Sequence, residues 1–86
     1  AERVSIFRAL SDPHRLQLLE LLSEVRCNCD LQELLQLAPN LLSYHLRVLR
    51  EAGLVVAVRR GRWVDYSVTP DAGVRVAAAL PQALKL

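Results

Sequence analysis

Methionine is absent from these 86 residues, lysine occurs once, at Lys85, and cysteine occurs only as Cys27 and Cys29. Without a methionine, the initiator residue is expected to lie outside the chain given, and ligands supplied from beyond either end are left open. No run of about 18 uncharged apolar residues occurs, which excludes a membrane-spanning helix, and no signal peptide opens the chain. The expectation is a soluble, cytoplasmic protein with no membrane partner. Two cysteines one residue apart would close almost no loop, so a structural disulfide framework is not expected, and a reduced pair is the simpler reading. The sequence also lacks a paired nucleophile and base, a glycine-rich phosphate loop and a carboxylate pair with reason to be perturbed. An enzyme and a small organic substrate are therefore not expected. No repeat, low-complexity tract or linker divides the chain, which reads as a single domain over residues 1–86.

Apolar residues make up 52% of the chain. A chain this short buries only roughly 60–65% of its unfolded surface, so the excess points to burial against a second copy. The net charge is a modest +2, but it is unevenly placed. Between Ser43 and Arg62 five arginines (Arg47, Arg50, Arg59, Arg60, Arg62) face a single acid, Glu51. A basic block on a near-neutral scaffold is the footprint of a polyanion binder.

Punctuation along the chain predicts five helices and two strands. Glu2 to Leu10 forms a short helix. Asp12 then caps a second, with Pro13 at its first position, running to about Val25 with Leu18, Leu19, Leu22 and Val25 on its apolar side. A third helix begins at Asp30, where Asp30 and Glu33 have capping-box spacing and Leu31, Leu34 and Leu35 make the buried stripe. Leu37-Ala38-Pro39 breaks it, and a fourth helix runs from Pro39 to a left-handed cap at Gly53. Its packed face is Leu42, His45, Leu46 and Leu49. The period then changes: Leu54–Val58 and Trp63–Val68 read as strands around an Arg59–Arg62 turn. Thr69-Pro70-Asp71 caps a last helix ending near Leu80. Helices three and four, joined by a short break and followed by a basic-tipped hairpin, give the winged helix-turn-helix plan: mainly α with a two-stranded antiparallel β-hairpin wing.

The free face of the fourth helix suits a major groove. Asn40 can pair bidentately with adenine, and Leu41, Ser43, Tyr44 and Arg47 are placed to reach base edges or phosphates. Arg59, Arg60 and Arg62 would repel one another at the hairpin tip without a counter-anion, which a phosphate backbone or narrow minor groove supplies. The partner these residues imply is double-stranded operator DNA. Neither histidine reads as a metal ligand, since His45 lies on the packed face and His14 in the first turn of the second helix.

Three segments carry a specific resemblance. The run from Ser43 to Val55 (SYHLRVLREAGLV) resembles the recognition-helix signature of the ArsR/SmtB family of metal-responsive repressors. Phe7–Leu16 (FRALSDPHRL) is similar to that family's first helix junction, and Gly61–Tyr66 (GRWVDY) to its wing. The resemblance implies a homodimer built on the first and last helices, with Phe7, Val74, Ala77, Ala78 and Leu80 among its contacts. It also implies a repressor released from DNA by an inducer.

Arg26-Cys27-Asn28-Cys29-Asp30-Leu31 is similar to the Cys-x-Cys-Asp-Leu element of the family's arsenite, cadmium and lead sensors. Thiolates are soft ligands, and a helix N-terminus favours their charged form. Cys27 and Cys29 are thus the candidate ligands for a thiophilic inducer: arsenite first, then cadmium, lead or zinc. The pattern departs from the arsenite type at Gln32, where a third cysteine would stand. It departs from the family's last-helix site at Gly73 and Leu84, where histidines would stand, although Asp71 matches. Rival readings are a winged-helix protein-interaction module, a redox-responsive regulator without a metal, and a metal carrier.

Overall fold

A computed structural model describes residues 2–85. In chain order it comprises α1 (Glu2–Leu10), α2 (Pro13–Leu21), β1 (Arg26–Cys27), α3 (Asn28–Leu35), α4 (Pro39–Glu51), β2 (Val55–Arg60), β3 (Trp63–Val68) and α5 (Ala72–Ala79), followed by a 3-10 turn at Gln82–Leu84. The strands form one antiparallel sheet in the order β1-β3-β2. The core lies between α2, α3, α4 and this sheet, where Leu18, Leu22, Leu31, Leu42, Leu46, Leu49, Leu54 and Val55 meet Ala9, Ala52 and Ala72. The mainly helical winged helix-turn-helix plan expected from the sequence is present.

Local chemistry sets most boundaries as expected. The Asp12 carboxylate accepts from the backbone N–H of His14 (2.8 Å) and Arg15 (3.2 Å), capping α2 ahead of Pro13. Gly53, at φ +76°, turns the chain out of α4, and a Cβ there would collide with the Arg75 guanidinium. Arg75 donates from Nη1 to Gly53 O (2.6 Å) and from Nη2 to Ala52 O (3.2 Å), and its Nε reaches Glu2 Oε1 at 3.1 Å. One side chain on α5 therefore ties the end of α4 to the start of α1.

Several expectations are corrected. The second helix ends at Leu21 rather than near Val25, because the chain must leave the helix to lay Arg26 and Cys27 beside β3. Val25 is consequently exposed. The third helix starts at Asn28, and its N-cap is Cys27, whose Sγ accepts from Asp30 N at 3.3 Å. Asp30 sits inside the first turn, so the Asp30/Glu33 capping box does not form. Leu34, placed in the buried stripe, is exposed, whereas Leu31 is fully buried. Gln36, at φ 52°, ends α3 ahead of the expected break. The hairpin turn is tighter than expected: Arg60 pairs with Trp63, leaving Gly61 and Arg62 as the loop and Arg59 and Arg60 in β2. Gly61 has φ +61°, a left-handed conformation that favours glycine. At α5, the Asp71 side chain makes no capping bond, and the turn is held instead by Ala72 N donating to Thr69 O.

Arg15 and His45 form a buried polar pair beneath α4. Arg15 donates to Ala9 O (2.8 Å), Arg8 O (3.3 Å) and His45 Nδ1 (3.0 Å), so the imidazole accepts and is neutral. Burial holds the pKa of His45 below its ordinary value against the opposing pull of the Asp12 carboxylate, with Arg15 reinforcing the downward shift. The unfolded chain therefore takes up a proton near pH 6.5 that the native state refuses, and stability contributed by His45 is lost as pH falls through that region. Urea unfolding should show a midpoint that drops between about pH 7 and pH 5.5. His45→Asn should be less stable at neutral pH by about 1–3 kcal/mol and should show a flatter profile. An unchanged pH dependence in that variant would contradict the assignment.

Candidate nucleic-acid interface and thiol site

The recognition face is built by the amphipathicity of α4. Leu42, His45, Leu46 and Leu49 are buried, which turns Asn40, Leu41, Ser43, Tyr44 and Arg47 outward, all five exposed. The Arg47 guanidinium lies 5.9 Å from the Tyr44 ring centre, a cation–π placement that orients it along the helix surface. Asn40, Ser43, Tyr44 and Arg47 line a concavity of about 370 Å³ together with Arg50, read in sequence only as part of the basic block, and Tyr66, given no role at the α4 face. Arg50 follows Arg47 by three positions and was legible as an extension of the same stripe. Tyr66 was not, because only the docking of the hairpin brings it beside α4. Leu41 lies on the exposed face but outside this concavity.

The three wing arginines stand apart from the concavity and differ from one another. Arg60 pairs bidentately with Asp65, Nε to Oδ2 at 2.9 Å and Nη2 to Oδ1 at 3.2 Å. That bond to Arg60 holds the Asp65 carboxyl below its ordinary range and raises Arg60 further. The expected lack of a counter-anion at the tip therefore does not hold for Arg60: an acid within the hairpin supplies one. Arg59 donates to Gly61 O at 3.3 Å, and the Arg62 guanidinium lies 5.3 Å from the Trp63 ring centre. Among the described residues Arg47, Arg50, Arg59 and Arg62 have no carboxylate partner, so their charge faces outward unneutralised.

The cysteines lie at the junction of sheet and helix. Their Cα atoms are 5.4 Å apart and the sulfurs are joined in a disulfide, which corrects the expectation of a reduced pair. The entry into α3 folds the chain so that both side chains converge, and the separation falls in the ordinary range for bridged cysteines. Cys27 is buried. The ligand atoms of Cys27, Cys29 and Asp30 all lie within 4.8 Å of one another, so the carboxylate of Asp30 is a third donor that the sequence reading did not identify. Two sulfurs and a carboxylate suit a thiophilic ion once the sulfurs are reduced, since only thiolates coordinate. A second cluster, Asp12, His14 and His45, is equally compact. There the Arg15 guanidinium bonded to His45 Nδ1 opposes a cation, in keeping with a structural role for that histidine.

A helix-turn-helix whose second helix presents a polar, basic face, followed by an arginine-bearing hairpin, defines a winged helix-turn-helix domain. The chain belongs to the arsR family of bacterial regulatory proteins, whose family model matches residues 12–56. It is similar to the arsenical resistance operon repressor of Escherichia coli (strain K12), at 39% identity over 69 residues, covering 78% of this chain and 59% of that protein. An uncharacterized HTH-type transcriptional regulator of Methanocaldococcus jannaschii is 38% identical over 68 residues, covering 77% of this chain and 76% of that one. Among solved structures, HlyU from Vibrio cholerae superimposes with a TM-score of 0.77 at 28% identity, over 87% of this chain and 84% of that one. The match thus leaves about two fifths of the E. coli repressor's length outside this chain. The first of these relatives is named as an operon repressor and the second as an HTH-type transcriptional regulator.

The two candidate DNA-contacting groups should separate by mutation. Arg50→Ala and Arg62→Ala should weaken binding to all duplexes alike and lower the salt slope by about one each. Asn40→Ala or Tyr44→Ala should cost mainly specificity, on the order of 1–3 kcal/mol at a lost base contact. Binding isotherms at several salt concentrations on specific and scrambled duplexes distinguish the two. A salt slope untouched by the arginine changes would place those arginines off the phosphates.

Proposed function

We propose that this chain is the DNA-binding and dimerising part of a transcriptional repressor. It occupies operator DNA as a homodimer and leaves when a thiophilic ion is bound by Cys27 and Cys29. Arsenite is the first ion to test, with cadmium, lead and zinc as alternatives. The observation that carries this reading is the convergence of two sulfurs and a carboxylate at the start of the helix that precedes the recognition helix. The E. coli relative is named for arsenical resistance, which favours arsenite among the soft ions. A reducing, cytoplasmic setting is part of the reading, because the bonded pair must open before it can coordinate.

Charge and shape support operator DNA as the partner. Arg47 and Arg50 flank the α4 concavity and Arg59 and Arg62 the wing tip, a spread suited to phosphates on either side of a groove. The dimer reading rests on the outer faces of α1 and α5. Val4 and Val74 are exposed, and Ala77, Ala78, Leu80 and Leu84 line a largely apolar hollow. A second copy would cover this surface, with the alanines allowing close helix approach. Two-fold symmetry then calls for an inverted repeat with half-sites about one DNA turn or a multiple apart.

The disulfide supports a second reading, a regulator that answers to oxidation of the same pair without a metal. Cys27→Ser/Cys29→Ser should keep operator affinity near that of the parent, since neither residue lies on the DNA face. It should abolish release by the ion, because a hydroxyl is a hard, weak ligand for a soft ion. In the reduced parent, ion binding should produce a sulfur-to-metal absorption band and release protons. Release by oxidant alone, with no such band for any of the four ions, would favour the redox reading. A serine double variant that still leaves DNA on adding the ion would remove the pair from sensing altogether. Sedimentation of a monomer at micromolar concentration would overturn the dimer.

A further inference from the structure

We propose that the wing strand β3, rather than the path through α3 into α4, carries the state of the thiol pair to the DNA-facing surface, with Asn28 and Asp65 as positioning residues. This inference rests on the reading of Cys27 and Cys29 as the sensor. Three contacts argue for it. First, β1 is laid against β3 with Cys27 opposite Asp65 and Arg26 opposite Tyr66. Directly opposed residues in an antiparallel pair are close neighbours, so a shift of Cys27 is felt at Asp65. Second, Asn28, the residue enclosed between the two cysteines, accepts from Val64 N through its Oδ1 at 3.3 Å. Ligation that changes the spacing of the sulfurs must turn the Asn28 backbone, and its side chain pulls on the backbone of β3. Third, the two β3 residues next in line face the DNA-facing elements. Asp65 holds Arg60 by two hydrogen bonds, and Tyr66 lines the concavity with Asn40, Ser43, Arg47 and Arg50.

The alternative path is less connected. Cys27 Sγ touches the start of α3 through Asp30 N, but α3 must run its length and turn at Gln36 before α4 begins. Among the described residues no side-chain hydrogen bond joins α3 to α4, whereas Asn28 joins the start of α3 to the wing. The chemistry at the pair balances without a further reactant once it is reduced. Two thiols and a divalent cation give the bis-thiolate complex and two protons. Two thiols and arsenous acid give a bis-thiolate arsenic hydroxide and two waters. Reduction of the disulfide itself takes two electrons and two protons from a small dithiol such as dithiothreitol, supplied before the ion and removed.

The chain carries its own reporter. Trp63 is its single tryptophan, lies on β3 next to Val64 and is partly exposed. Reduced protein of these 86 residues, without DNA, is titrated with arsenite, then separately with cadmium, while the thiolate absorption band and Trp63 emission are recorded. Both signals should saturate at the same ion-to-protein ratio. Operator affinity of the parent should fall about tenfold or more on ion binding. Asn28→Ala should bind the ion with the same absorption band yet lose the emission change, and its operator affinity should fall by less than about twofold. Asn28→Asp, which keeps an acceptor oxygen, should restore the emission change, a rescue that general loss of stability would not give. The proposal is overturned if the band saturates and DNA is released while Trp63 emission stays fixed, or if Asn28→Ala releases DNA as the parent does. If no band forms, or if the serine double variant still releases DNA, the sensor reading itself fails and takes this inference with it.

Discussion

The backbone of β3 is held from both sides. Along one edge it pairs with β2 from Val68 to Trp63, and along the other it meets Arg26 and Cys27 of β1 and the side chain of Asn28. A two-stranded hairpin alone is marginally stable in water and free to sway. A third strand, however short, anchors it at mid-length. The position of the arginine tip, the approach of Tyr66 to α4 and the location of the cysteines all follow from that three-strand arrangement. Because β1 is also the lead into α3, the sheet and the helix-turn-helix share one junction, and the thiol pair occupies it.

The recognition helix is positioned by different means. Its inner face combines leucine packing with the imidazole of His45, and Arg15 links that imidazole to the end of α1. A buried guanidinium is tolerated because its bonds go to two carbonyls and a neutral ring nitrogen, with the Asp12 carboxylate 4.0 Å from that same nitrogen. The end of α4 is secured separately by Arg75 from α5. The proposed DNA-reading helix is therefore fastened to both elements of the proposed dimer face.

Much of this was legible in the sequence. The α4 face shows a 3.6-residue period with no competing signal, Asp12-Pro13 is a strong helix start, and Gly53 is needed where φ turns positive. What was missed falls into two kinds. Some features have no periodic signature: β1 is two residues long, and Cys27 caps α3 with a sulfur where an oxygen from Asp or Ser is the usual sign. Others depend on register. Placing the turn over Arg59–Arg62 hid the Arg60–Asp65 pair, which becomes evident only when Arg60 is opposed to Trp63 and Asp65 falls on the diagonal. Tyr66 and Asp30 belong to the same group, since their roles at the concavity and beside the sulfurs come from elements meeting in space. Leu34 is exposed because it lies away from the side of α3 that buries Leu31 completely.

The central claim is that one small fold couples a soft-ion site to DNA occupancy. Its most direct test is retardation of the promoter fragment upstream of the protein's own gene by the reduced full-length protein, with arsenite, cadmium, lead or zinc titrated in and magnesium as the hard-ion control. A retarded complex is expected without added ion, with its loss on adding at least one thiophilic ion at concentrations where magnesium has no effect, and its return when a competing dithiol strips the ion away. A complex that persists through all four soft ions, or that dissolves equally in magnesium, would contradict it.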